Sequence, residues 1–153
     1  MKKQILGLSL IGLAAFSLSA CAGGKAMSRV DKKGEMSKTM DMESVQKKYL
    51  QVVGIGAANA AMTNATQRKA TSRNAAVVDA QYRLLSMVKG LKVTGGITVE
   101  KAIETDSKLQ TVIDAEIKGA EELKYEWTND DGCVVTMRLD RTRLEKMMGV
   151  KFE

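Results

Sequence analysis

The sequence predicts an α+β fold, in which a small antiparallel or mixed sheet of three or four strands is covered on one face by a long helix and a second, shorter helix. Three patterns predict it. A β-rich run ends in glycines near residue 55, a long stretch of helical periodicity follows it, and two alternating runs flank a polar turn near the C-terminus. Together they place a single folded domain over residues 49–153.

The domain opens with a predicted strand over residues 49–56, which ends in Gly54-Ile55-Gly56. A Gly-x-Gly sequence after a strand also opens the dinucleotide-binding fingerprint. Here the third glycine position holds Asn59, and the next helix starts too late to present its N-terminus to a phosphate. The two glycines are therefore interpreted as the end of a strand.

A long helix is predicted next, ending near Lys89 with Gly90 as its C-terminal stop. Three residues can supply its N-cap, namely Thr63, Asn64 and Thr66. Apolar side chains at helical spacing should form its core-facing stripe: Ala70, Val77, Ala80, Leu84, Val88 and Leu91.

Residues 91–106 allow two interpretations. Apolar residues alternate around Gly95-Gly96, which favours an extended or hairpin-like segment, whereas Glu100-Lys101-Ala102 suits a helix. The run Ser107–Gln110 then matches a capping box and predicts the second, shorter helix. Its apolar stripe consists of Leu109, Val112, Ile113 and Ile117.

A β-hairpin is predicted around the turn at residues 129–132, followed by a short helix over residues 142–148. The first strand should direct Leu123, Tyr125 and Trp127 to one face. The second strand should direct one set of side chains to the core: Cys133, Val135, Met137 and Leu139. The alternate set should form a polar face: Val134, Thr136, Arg138 and Asp140. The C-terminal helix should bury Leu144, Met147 and Met148.

The first 21 residues have the organisation of a targeting signal. Lys2 and Lys3 precede an uncharged apolar run that is shorter than the roughly 20 residues of a spanning helix. The run ends in Leu18-Ser19-Ala20-Cys21, which resembles the lipobox of bacterial lipoproteins. We therefore expect a signal peptide over residues 1–20 and lipidation of Cys21. The alternatives are an ordinary secretory signal with a coincidental cysteine, and a short membrane anchor.

Residues 21–48 are predicted to form the lipidated cysteine and a flexible tether. The segment mixes Lys, Asp, Glu, Ser and Met without a helical or strand period, so it can bury little apolar area. A partner-induced helix over residues 37–48 is the alternative. Ala22 stands where lipoproteins kept at the inner membrane often carry Asp, which favours the outer membrane.

The composition excludes several functional classes. The net charge of +6 falls to +4 when Lys2 and Lys3 leave with the predicted signal, and this mild, scattered excess is too weak to indicate nucleic acid as a partner. Histidine is absent, and no paired carboxylates or cysteine clusters replace it, so no catalytic residue, metal site or cofactor is predicted. Cys133 is interpreted as a small buried hydrophobe, with an intermolecular disulfide as the alternative.

Arg68, Lys69 and Arg73 are the candidate binding residues. They lie in the first turns of the long helix, where positive charge opposes the helix macrodipole at a cost of some tenths of a kcal/mol each. We expect either contact with an acidic partner or anion, or a solvated face screened by salt.

Several segments resemble the LPP-twenty-type outer-membrane lipoprotein family, which includes the flagellar lipoprotein FlgP. The segments are residues 53–59, 65–70, 73–81, 84–85, 88–90, 117–120 and 131–137, with the Arg-Asn-Ala-Ala helix as the most recognisable part. The resemblance implies a small α+β domain without catalysis, close helix packing at small residues, and, in flagellar members, assembly into rings or disks near the outer membrane.

These observations predict a lipid-anchored, homo-oligomerising protein of the bacterial outer membrane, facing the periplasm or the surface. Its expected role is structural, in a flagellar or other envelope assembly, with flagellar or envelope proteins as partners. The alternative is an envelope module that binds peptidoglycan, lipopolysaccharide or a lipid headgroup through Arg68, Lys69 and Arg73.

Overall fold

A computed structural model describes residues 27–37 and 42–153. Within these residues a four-stranded antiparallel sheet packs against helices, one of them long, which confirms the predicted α+β class. In chain order the elements are β1 (Glu43–Val45), β2 (Tyr49–Gly56), α1 (Ala65–Gly90), α2 (Val99–Thr105), α3 (Lys108–Lys118), β3 (Glu121–Trp127), β4 (Cys133–Asp140) and α4 (Arg141–Met148). The strand order in the sheet is β1-β2-β4-β3. The signal peptide predicted for residues 1–20 and Cys21 lie outside the described residues.

Helix α1 lies directly on β2, and its N-cap is Asn64, whose side chain accepts from the N–H groups of Thr66 and Gln67. The buried face differs from the predicted one: Ser72, Ala76, Ala80, Leu84 and Val88. Ala70 is exposed and Val77 is only partly buried, so the prediction is wrong for Ala70. The reason is the small residues at four-residue spacing, which bring the helix axis close to the glycines of β2.

Both interpretations of residues 91–106 hold in part. Lys92 and Thr98 form an antiparallel bridge around Gly95-Gly96, and α2 then begins at Val99. The capping box predicted for α3 does not form, because the Ser107 side chain makes no cap hydrogen bond. Instead, Asp106 Oδ1 accepts from the Lys108 N–H at 3.0 Å.

Strand β4 is buried on both faces, which the predicted polar face did not anticipate. Cys133, Val135, Met137 and Leu139 belong to the core under the helices as expected. Val134 and Thr136, on the opposite face, are each only 1% exposed. In α4, Leu144 and Met148 are buried, whereas Met147 is 54% exposed, so its predicted inward position is wrong.

The segment predicted as a flexible tether is partly folded, and the prediction is wrong for its described residues. Strand β1 pairs with residues 50–52 of β2. Upstream, Val30 and Met36 form an antiparallel bridge, and the Gly34 carbonyl accepts from the Asn129 N–H at 3.0 Å. We call residues 28–37 the N-terminal hairpin. Among the described helices, none has the length and apolar content needed to cross a bilayer.

Candidate functional site

The predicted basic cluster lies beside the turn between β3 and β4. The Arg68 guanidinium contacts the Asp131 carboxylate at 2.8 Å through Nη2 and at 2.9 Å through Nε. It also donates to the main-chain oxygens of Met62 and Thr63. Its charge is therefore neutralised within the domain, and most of its donors are occupied.

Lys69 and Arg73 are engaged in the same way. Lys69 Nζ lies 3.7 Å from Asp131 Oδ1 and 5.6 Å from the centroid of the Trp127 ring. Arg73 contacts Glu122 at 2.5 Å, and its guanidinium carbon lies 5.3 Å from the centroid of the Tyr125 ring. Carboxylates and aromatic faces from β3 and its turn thus offset the unfavourable charge at the start of α1.

Asp131 holds this end of α1 against the hairpin. It has a positive φ of 64°, a conformation that Asp and Asn tolerate better than most residues. Its carbonyl accepts from Ser72 Oγ at 2.7 Å while its carboxylate contacts Arg68. The sequence marks the turn itself, but the tertiary partners of Asp131 could not be read from local spacing.

A second polar cluster, which sequence reasoning missed, centres on Glu126. Its carboxylate accepts from Ser28 Oγ, from the Arg29 N–H at 2.8 Å and from Lys124 Nζ at 3.0 Å. Burial disfavours ionisation of this side chain, which is 10% exposed, but the three donors outweigh it and lower the pKa of Glu126. The cluster binds the N-terminal hairpin to the sheet, and no local sequence signal identifies it.

Cys133 is 1% exposed at the start of β4, under α1. Burial raises the pKa of its thiol, with Arg73 acting in the opposite direction and Glu122 reinforcing the rise. The thiol is therefore protonated and shielded from solvent, and it packs as a small apolar side chain. The intermolecular disulfide considered for it would require the domain to open first.

Two aspartates on the helices, Asp79 in α1 and Asp114 in α3, accept hydrogen bonds from within the domain. Asp79 Oδ2 accepts from the Ile55 N–H and from Arg83 Nε, both at 3.0 Å, and Asp114 accepts from Gln110 at 2.7 Å. Across residues 27–37 and 42–153, no group of three or more Cys, Asp or Glu side chains is arranged to hold a metal ion.

Comparisons of the chain with protein-family models, with curated proteins and with solved structures yield no match. The resemblance to the lipoprotein family therefore rests on the residues quoted for it and stays a prediction.

Proposed function

We propose that this chain is a non-catalytic outer-membrane lipoprotein, anchored by acyl chains on Cys21, whose α+β domain self-associates in a cell-envelope assembly of the flagellar type. The observation that carries the proposal is the succession of sequence features at the N-terminus: two lysines, an uncharged apolar run and the lipobox-like Leu18-Ser19-Ala20-Cys21. Two or more acyl chains would anchor the chain stably, since each buried methylene contributes about 0.8 kcal/mol.

Two surfaces support self-association. Strand β3 is the last strand of the sheet, and Tyr125 on it is 52% exposed. Val78 and Tyr82, on the outer side of α1, are 63% and 72% exposed and border a groove of about 270 Å³ between α1 and α3. Edge strands and exposed apolar patches are the usual means by which small domains contact further copies.

The pairing of the basic cluster disfavours the alternative of an anion-binding module. Arg68 and Lys69 contact Asp131, and Arg73 contacts Glu122. A peptidoglycan or lipopolysaccharide anion would have to displace these carboxylates, so the cluster is better suited to joining α1 to the β3–β4 hairpin.

The anchor is tested by metabolic labelling with an alkyne analogue of palmitate. The full-length chain should incorporate the label and resist extraction with alkaline carbonate, and Cys21→Ser should abolish the incorporation. Labelling that persists in the Cys21→Ser variant would refute the anchor at this position.

The structural role is tested in two ways. A soluble form beginning at Ala22 should sediment as a multimer, and deletion of the gene in the source bacterium should impair motility. The soluble form has to retain the N-terminal hairpin and β1, because both contact the sheet. A strictly monomeric protein together with a fully motile deletion strain would refute the proposal.

A further inference from the structure

The N-terminal hairpin lies close in sequence to the proposed anchor. Ser28 and Arg29 both donate to the Glu126 carboxylate, so the chain is held to the sheet at these two residues. Cys21 is about seven residues away, and that length of chain spans at most about 25 Å when fully extended. The domain is therefore held near its anchoring membrane by one particular end.

That end is defined by three neighbouring features. The hairpin contacts the β3–β4 turn through Gly34 and Asn129, and the start of α1 contacts the same turn through Arg68 and Asp131. Helix α1 then runs away from the turn for 26 residues, a length of about 39 Å. Because this exceeds the reach of the preceding chain, Cys21 cannot lie at the opposite end of the domain, where Gly90 is.

The side chains at the hairpin end have the chemistry of a membrane-surface contact. Lys32 and Lys33 occupy the exposed turn of the hairpin, which Asp31 closes by accepting from the N–H groups of Lys33 and Glu35 at 2.8 and 2.9 Å. Met27 and Met36, on either side of the turn, are 72% and 43% exposed. Lysines suit anionic headgroups, and exposed thioether side chains suit the boundary with the acyl chains.

We infer that the end of the domain formed by the N-terminal hairpin and the β3–β4 turn faces the bilayer, with Lys32 and Lys33 at the headgroups. The C-terminal end, where the Lys151 carbonyl accepts from the Thr94 N–H, then points away from the membrane. The Glu126 cluster sets this orientation, because it binds the N-terminal hairpin to the sheet. The inference rests on the proposed anchor at Cys21.

The orientation is tested with the mature, lipidated protein in vesicles of phosphatidylethanolamine and phosphatidylglycerol that carry a trace of nitroxide-headgroup lipid. A fluorophore is attached at Lys33→Cys in one variant and at Lys151→Cys in another, both exposed positions. Quenching should be several-fold stronger at position 33 than at position 151. Equal quenching at the two positions, in protein that floats with the vesicles, would overturn the orientation and leave the anchor intact.

Two further variants separate the short connection from other causes. A flexible Gly/Ser insert of about thirty residues before Met27, with a mean span of about 30 Å, should reduce the difference in quenching between the two positions, because the short connection then no longer confines the hairpin end. Glu126→Gln should decrease the difference in quenching, whereas Glu104→Gln, at an exposed position of α2, should leave it unchanged. Stronger quenching at position 151 than at position 33 in the insert variant would overturn the inference, because another surface would then hold the domain. Protein that fails to float would refute the anchor and the orientation together.

Discussion

Gly54 in β2 and Ala76 in α1 are in backbone contact: a Cβ atom added to Gly54 would lie 2.1 Å from the Ala76 carbonyl oxygen. In the same way, a Cβ atom added to Gly56 would lie 2.0 Å from the Ser72 carbonyl oxygen. The missing side chains thus allow the helix to rest directly on the central part of the sheet.

We expect Gly54→Ala to lower the free energy of unfolding by about 1–3 kcal/mol, because the backbone has to move to admit the methyl group. Gly90→Ala is the matched control, since nothing lies within 4 Å of the added atom there. Urea unfolding followed by circular dichroism measures both. Equal midpoints for the two variants would show that α1 does not pack on β2 in this way.

Removing the basic cluster should affect stability and leave anion binding unchanged. The triple variant Arg68→Ala, Lys69→Ala and Arg73→Ala loses three partly exposed ion pairs, with an expected cost of about 1–2 kcal/mol in total. The control is Lys92→Ala, Lys101→Ala and Lys108→Ala, which removes the same charge from exposed positions. Thermal unfolding and co-sedimentation with peptidoglycan are the measurements. Loss of co-sedimentation in the first variant alone would favour the binding-module alternative.

The N-terminal hairpin should detach at low pH. The folded pKa of Glu126 lies below its ordinary value of 4.5, so its contribution is fully present above that value and is lost as the pH falls through the folded pKa. Hydrogen exchange at the Arg29 amide, which donates to Glu126, should accelerate there beyond the intrinsic pH effect. Glu126→Gln should show the faster exchange already at neutral pH, with Glu104→Gln as control. Exchange that follows the intrinsic rate alone would contradict this role.

The Cys133 thiol should resist modification in the native protein. It is buried and its pKa is raised, so both access and the thiolate fraction are reduced. A membrane-impermeant maleimide should label the soluble form, which lacks Cys21, only after denaturant is added. Prompt stoichiometric labelling under native conditions would mean that the region under α1 is open.

Local signals predicted the elements whose determinants lie within a few residues. Asn64 caps α1, the Asn129–Gly132 turn joins β3 to β4, and α4 appears where Leu144 and Met148 recur at helical spacing. Most of the predictions that failed depend on residues distant in sequence; the capping box at Ser107 is an exception, since the neighbouring Asp106 accepts from the Lys108 N–H instead. The helical pattern places Ala70 in the core, because it does not reveal that α1 contacts Gly54 and Gly56 through its small residues.

The same limit applies to the candidate site. The basic cluster could be found, since three cations in the first turns of a helix are visible in the sequence. Its acidic partners Asp131 and Glu122 could not, because only the tertiary fold brings them there. The Glu126 cluster joins residues almost one hundred positions apart, so the hairpin at residues 28–37 looked like an unstructured linker.

The strand order carries a consequence for how the chain acquires its structure. β2 is synthesised early but forms its longest pairing with β4, about eighty to ninety residues downstream. The inner part of the sheet therefore cannot assemble until nearly the whole polypeptide is present. For the export that we propose, this topology would keep the sheet from closing until β4 has also crossed the membrane.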